Sequence, residues 1–294
     1  MRFGLNAWVT PSGMAPDALA TTAESLGFES LFFPEHTHIP VDRETPYVGG
    51  GELPEYYADS YDPFVALATA AAATTSLRLG TGICLVSQRD PIILARESAT
   101  LDRISGGRLL LGVGAGWNRE EMRNHGTDPK TRYALLAERM EAVRALWRSD
   151  PAEYHGRHVA FDPIRQGVKP LQAGGPPVLV ALDAARHRGA VGSFGSDWFP
   201  TFGRQARLAE RAGLGLAAHL RRAIAALHED AEATGRRPPR VTINGAPDDP
   251  AALGALAAAG VDRVLFVVGP ASEADTVATL RRLRRVAERV APQG

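Results

Sequence analysis

Residues 77–118, LRLGTGICLVSQRDPIILARESATLDRISGGRLLLGVGAGWN, restrict the fold more than any other stretch of the chain. An apolar run from Leu77 to Ile83, interleaved with Gly and Thr, leads into a helical pattern, which returns to a second run at Leu109–Val113. Two buried strands joined by a crossover helix run parallel, because a tight hairpin cannot connect strands that point the same way. Both runs end in glycine, Gly82 on one side and Gly112, Gly114 and Gly116 on the other. Glycine at the carboxyl end of a parallel strand lets a ligand or another backbone come very close. Ligands of α/β folds bind at that end.

The rest of the chain repeats the unit. Apolar runs at Phe3–Val9, Ser30–Phe33, Val178–Leu182, Asp197–Phe199, Val241–Asn244 and Val261–Val268 read as six further strands. Helical patterns run from Pro16 to Leu26 with Gly27 as cap, from Pro63 through FVALATAAAATT, and from Lys130 to Trp147. The last of these puts Leu135, Leu136, Met140, Val143, Leu146 and Trp147 on one face, which reads as core. Later helices span Leu216–Thr234, Pro250–Ala259 with Gly260 as cap, and Ser272–Val290. Eight strand–helix units in 294 residues predict an α/β fold, the (β/α)8 TIM barrel, as one domain over 1–294. A doubly wound sheet predicts a glycine-rich turn after the first strand, where this chain has Asn6-Ala7-Trp8. Two departures interrupt the repeat. A loop insertion after strand two, Ile39–Asp62, is long enough to be functional. A polar excursion between helix four and strand five, Asp150–Pro177, holds two short extended pieces.

Composition excludes several classes. Lys+Arg and Asp+Glu balance at 33 each, which argues against nucleic acid or a membrane surface as partner. No apolar run approaches the roughly 20 residues of a membrane span. Cys84, the single cysteine, excludes an internal disulfide framework and suits a reducing compartment. The start MRFGLNAWV reads directly as a strand, without a basic segment and cleavage site, so the expected location is cytoplasmic.

The carboxyl ends of the strands carry the candidate chemistry. Strand two ends in Pro34-Glu35-His36-Thr37-His38. A histidine there, His36, is expected to face the barrel mouth beside Glu35 and to act as acid or base near neutral pH. His36 and His38 sharing a metal is the alternative, but such a site needs further ligands at later strand ends, and strand eight ends in Val268-Gly269-Pro270 without a carboxylate while strand six offers no histidine. Gly112, Gly114 and Gly116 read as room for a flat ring or its tail, since a dinucleotide fingerprint belongs after a first strand. The run LDRISGGR is a helix end at the opposite face, where Arg103 and Arg108 are expected to make structural pairs.

Taken together, PEHTHIP, the run from ELPEYYADSYDP through LRLGTGICLVSQRDP to GVGAGWNREE, then YHGRHVAF, VKPLQ and PPVLV resemble the bacterial luciferase-like superfamily. Within it, the chain is most similar to the deazaflavin-dependent oxidoreductases that use coenzyme F420. The resemblance runs almost continuously from Met1 to Pro177. It implies a barrel that holds F420, or alternatively FMN, at its carboxyl face. It implies a non-prolyl cis peptide at Gly82–Ile83 against the ring, with Cys84 and Leu85 lining it, and a role for His36 near the transferred hydride. Gly114, Gly116, Trp117 and Asn118 fall at the strand-four end of the same site, with Trp117-Asn118 where the family's sugar-phosphate enzymes carry a glutamate. The family's Gly-Gly phosphate turn after strand five is replaced by Ala181-Leu182-Asp183, and Gly189-Ala190 stands at its arginine position. Arg186 and Arg188 are the candidates to hold the phosphate instead.

The expected function is therefore oxidoreduction, by hydride transfer or oxygenation, of a small organic substrate. Two other readings remain open: a flavin-binding family member without catalysis, and a cofactor-free acid/base or metal enzyme using His36, Glu35 and His38. The resemblance is also compatible with a homodimer.

Overall fold

Three helices begin at the same dipeptide, Asp-Pro, and each aspartate caps its helix. Proline suits the first helical position because its missing N–H would have no partner there. Asp62 accepts from the backbone of Phe64 and Val65 at 2.9 and 3.0 Å, and Asp90 from Ile92 and Ile93 at the same distances. Asp249 does the same for Ala251 and Ala252. These caps start α2 (Pro63–Ala73), α3 (Pro91–Ile104) and α9 (Pro250–Ala258) in a computed structural model that describes residues 1–290, the side chains of 185, 186, 188 and 190 excepted.

The strands are β1 (Arg2–Ala7), β2 (Ser30–Phe33), β3 (Arg78–Thr81), β4 (Cys84–Leu85), β5 (Leu109–Gly114), β8 (Val178–Val180), β9 (Asp197–Trp198), β10 (Arg240–Asn244) and β11 (Arg263–Val268). Between β5 and β8, β6 (Ala152–His155) and β7 (Ala160–Ile164) form a separate antiparallel hairpin. These are the two extended pieces expected in the polar excursion. β3 and β4 are one barrel strand interrupted at Gly82-Ile83, so all eight staves are parallel and the ring closes through pairing of β3 with β5.

The remaining helices are α1 (Pro16–Ser25), α4 (Arg119–Asn124), α5 (Arg132–Arg148), α6 (Ala184–Ser193), α7 (Phe202–Arg211), α8 (Leu216–Ala233) and α10 (Glu273–Glu288). Two of them, α4 and α7, were not anticipated. α4 has only six mostly polar residues, and α7 is polar overall and buries only Gln205 and Ala209, so neither offers a run of apolar residues. Among the described residues, no helix is long and apolar enough to cross a membrane.

Large and small residues alternate across the barrel interior. Phe32, Leu110, Leu179, Phe199 and Leu265 fill it, with Ile83 and Ala181 partly buried above them. Room for the two phenylalanines comes from glycines: a Cβ on Gly80 would lie 2.4 Å from the Phe32 ring, and one on Gly112 would lie 2.9 Å from Phe199 and 2.1 Å from Thr81 O. The helices cover the outer face of the sheet through a second, larger core that includes Leu5, Phe33, Val113, Met140, Trp147 and Trp198. At the amino face, Arg108 donates to the carbonyls of Ala71, Thr74 and Leu77, and Asp102 accepts from Leu171 and Gln172. The expected structural role of LDRISGGR holds, with carbonyls as the partners of Arg108 and Lys169 O as that of Arg103.

Glu24, at the end of α1, grips the turn before β3. It accepts from the backbone N–H groups of Thr75, Ser76 and Leu77 at 3.0, 2.6 and 2.8 Å, and from Ser76 Oγ at 2.9 Å. Burial pushes this carboxyl up, but the bonds from Ser76, Leu77 and Thr75 outweigh it and bring its pKa down to about 2. A depressed pKa stabilises the fold above the ordinary value of 4.5, and that contribution is lost as pH falls towards 2. Glu24→Gln is therefore expected to be less stable than the parent at pH 7, with the gap narrowing below pH 4.5. Urea unfolding at several pH values measures it, and a constant gap would contradict this assignment.

Candidate active site

The mouth at the carboxyl face is built on two amides and a break in a strand. Asn6, on β1, donates Nδ2 to Gly82 O at 2.9 Å and to Asn244 Oδ1 on β10 at 3.0 Å, which spans the barrel interior. The Gly82–Ile83 peptide is cis, as the resemblance implies. A Cβ on Gly114 would lie 2.1 Å from Ile83 Cδ1, so this glycine makes room for the Ile83 side chain. Gly116 has φ +76°, a left-handed conformation that glycine adopts without strain, and there the chain turns towards α4. Val267 is in register with Asn6 and so points inward, yet it is 49% exposed. An apolar inward position open to solvent marks a cleft beside Asn6, Asn244 and Ile83.

His36 stands at the rim of this cleft. Its Nδ1 lies 2.8 Å from Glu121 Oε2, and its Nε2 accepts from Trp117 Nε1 at 3.3 Å. A carboxylate on one nitrogen and an N–H donor on the other select the neutral Nδ1–H tautomer, with the Nε2 lone pair turned to the Trp117 N–H. Glu121 is buried and also accepts from Thr37 N at 3.1 Å. It reaches His36 because Asn118 caps α4, accepting from Glu121 N at 3.3 Å, and this fixes the first turn of that helix against strand two.

The long loop after β2 folds over the mouth. It contains one 3-10 turn, Glu55–Tyr57, whose Tyr57 ring lies 4.1 Å from Trp8 and 5.3 Å from His36. Trp8 stacks parallel to His36 with centroids 6.3 Å apart. Tyr47 bonds Tyr57 hydroxyl to hydroxyl at 2.8 Å and packs 5.9 Å from Trp117. Burial, then the bond to Tyr47, raises the Tyr57 phenol well above its ordinary value, so it stays neutral as a donor or acceptor. Arg89 holds the far end of the loop: its guanidinium pairs with Glu35 at 2.5 Å, Asp62 at 2.6 Å and Glu97 at 3.0 Å.

Several expected site residues lie elsewhere. Glu35 does not join His36 at the mouth. Neighbouring residues of an extended chain point to opposite sides, so Glu35 is buried outside the barrel, held by Arg89 and by Leu85 N at 2.5 Å. Cys84 does not face the cleft either, whereas Leu85, in register with Gly114, lies on the inward side of the strand and is buried beside Gly116. Cys84 is in register with Val113, fully buried in the sheet–helix core, and burial pushes its thiol well up. Asn118 is wholly buried and serves as the α4 cap. Gly82, Ile83, Gly114, Gly116, Trp117 and His36 do gather at the mouth. The side chains of Arg186 and Arg188 lie outside the described residues. After β8, Asp183 pairs with Arg204 at 2.8 Å, which offsets the carboxylate that replaces the Gly-Gly turn.

Asn6, Asn244, Trp8, Tyr57 and Glu121 were not singled out from sequence. The two asparagines had a signal, since an amide inside an apolar strand needs a buried partner. Glu121 also had one: Asn118-x-x-Glu121 has capping-box spacing just after the glycine-rich strand.

Comparison with known proteins agrees with this architecture. The family model described as luciferase-like monooxygenase matches residues 15–247. An uncharacterized protein of Mycobacterium tuberculosis is 40% identical over 204 residues, which is 68% of this chain and 72% of that protein. An F420-dependent secondary alcohol dehydrogenase, solved with an F420–acetone adduct, superposes with a TM-score of 0.73 at 18% identity, covering 98% of both chains. A type II Baeyer-Villiger monooxygenase of Pseudomonas putida, solved with FMN, also has a TM-score of 0.73, at 16% identity over 100% of this chain and 98% of that one.

Proposed function

Since the chain belongs to the luciferase-like monooxygenase family, we propose that it is an oxidoreductase that binds coenzyme F420, with FMN as the alternative, and acts on a small organic substrate. The observation that carries this reading is His36: Glu121 holds its Nδ1–H tautomer from behind, and its Nε2 lone pair is engaged only by the long 3.3 Å bond from Trp117 Nε1, which a substrate hydroxyl would replace. A bound deazaflavin or flavin supplies hydride transfer at its ring. Moving a hydride from an alcohol carbon also requires a base for the hydroxyl proton, and His36 Nε2 would take it once the substrate hydroxyl replaces the Trp117 N–H as its donor. Run in reverse, the protonated imidazole returns that proton to the oxygen of a carbonyl compound. The secondary alcohol dehydrogenase among the structural neighbours makes an alcohol–ketone pair the natural first substrate to test.

The residues present fit a planar ring. Ile83, Gly82, Trp117 and the open space beside Val267 and Asn244 would hold it, and the aromatic loop over Trp8 and His36 would exclude water. Fit is weaker at an anionic tail, because Arg204 already has Asp183 as partner and a phosphate must compete with that carboxylate.

Separate titrations with F420 and FMN, followed by fluorescence quenching, test the proposal. Saturation by F420 below about 100 μM, with FMN at least about tenfold weaker, is the expected result. The reverse order selects the FMN alternative, and failure of both to bind below that concentration overturns the reading.

A further inference from the structure

Behind the His36–Glu121 pair, a line of hydrogen-bonding groups continues to the protein surface. Glu121 Oε1 is 3.1 Å from Thr37 N and 3.4 Å from Thr37 Oγ1. Thr37 Oγ1 is in turn 2.7 Å from His125 Nε2 and 2.9 Å from His38 Nδ1. Asn124 Nδ2 donates to His38 Nε2 at 2.9 Å, which leaves His38 as an Nδ1–H donor to Thr37 and frees the threonine O–H to point at His125. Glu121 is fully buried, whereas Thr37 and His125 are exposed. The line therefore runs from the covered mouth to water.

We propose that Glu121, Thr37 and His125 form a proton exit that connects His36 with solvent on the α4 side of the barrel, away from the aromatic loop. It rests on the reading of His36 as the group that exchanges a proton with substrate. After Nε2 takes a proton, His36 is an imidazolium. Its Nδ1–H bond then breaks and an O–H bond forms on Glu121. The carboxyl turns about its Cγ–Cδ bond and passes this proton to Thr37 Oγ1, while the threonine gives its own proton to His125 Nε2. Each transfer breaks one bond to hydrogen and forms one, and His125 releases the last proton to water; His36 is left neutral as its Nε2–H tautomer, the form from which the reverse reaction starts by regaining a proton on Nδ1 along the same line.

His125 suits the final position on independent grounds. It contacts Thr37 and His38 and feels the charges of Glu121, Glu35 and Arg139; burial followed by the nearby His38 lowers its pKa, so a proton received at neutral pH is readily lost. The need for such an exit follows from the loop. With Tyr57 and Trp8 packed against it, the His36 side chain is only 6% exposed, so a proton left on the imidazole has little direct contact with bulk water.

The test reads proton exchange and needs neither cofactor nor substrate. In protein labelled with nitrogen-15 histidine, exchange of the His36 Nδ1–H with water is followed by saturation transfer in the parent, Thr37→Val, Thr37→Ser and His125→Gln, each checked for an unchanged melting temperature. The exit predicts exchange slowed about tenfold or more in Thr37→Val and His125→Gln, near-parent exchange in Thr37→Ser, and recovery of His125→Gln by added imidazole. Parent-like exchange in Thr37→Val, or equal slowing in Thr37→Ser, overturns it. Because the readout uses ligand-free protein, failure of F420 and FMN to bind would count against the functional reading and leave this result to be judged separately.

Discussion

Replacing His36 by asparagine is expected to lower turnover of any substrate the parent protein converts by about 10²–10⁴-fold, the usual contribution of a positioned acid or base. Asparagine isolates the chemistry from the packing. Its side-chain amide keeps a donor on the side of the ring that faces Glu121, where the Nδ1 contact is 2.8 Å, but it offers no titratable lone pair at the mouth. Affinity for the cofactor should therefore change little while kcat falls. Glu121→Gln is expected to give a smaller loss with a displaced pH profile, because it disturbs the tautomer without removing the imidazole. Steady-state kinetics across pH, set beside the binding titration, separates the two. A His36→Asn protein with parental kcat would end the assignment of His36 as the proton-exchanging group.

Arg89→Ala is expected to cost about 3–5 kcal/mol of stability, the range found when one partner of a buried ion pair is removed. Glu35 is 4% exposed and would keep Leu85 N as its partner while losing the guanidinium that offsets its charge. Burial disfavours the charged form of Arg89, yet Glu35 and the other carboxylates raise its pKa overall, so all three acids favour the cation. Glu97 is held above the ordinary carboxylate value, first by burial. Removing the arginine leaves three carboxylates facing one another at the root of the loop. Urea denaturation measures the loss. The double variant Arg89→Ala with Glu35→Gln should recover part of it, since the uncompensated buried charge is then gone, and a double variant no more stable than Arg89→Ala would locate the cost elsewhere.

The barrel was legible because its signals are local. Apolar runs, glycine stops and Asp-Pro starts each act within a few residues, and Asp62, Asp90 and Asp249 cap their helices as such residues do. The site was legible only where one chain segment carries it, as with His36 and with Gly82–Ile83. Its other half depends on direction and on distant pairing. Glu35 adjoins His36 in sequence but faces the opposite side of the sheet. Glu121 is far away in sequence and arrives through the orientation of a six-residue helix. Cys84 was placed on the wrong face because the interruption at Gly82-Ile83 resets the alternation of the strand, and register with Val113 then turns its side chain towards the helices.

The contact between Ile83 and Gly114 also limits how this protein can change over generations. A methyl group gained at residue 114 collides with Ile83 Cδ1, the far end of a flexible side chain, and the next nearest atoms are no closer than 3.5 Å. Valine at residue 83 lacks that carbon. Alanine at 114 is therefore accessible after Ile83→Val and penalised before it, so the two substitutions have a required order. Ile83 lies at the floor proposed for the ring, so a lineage that follows this order reshapes its active site as the first step and adjusts its scaffold as the second.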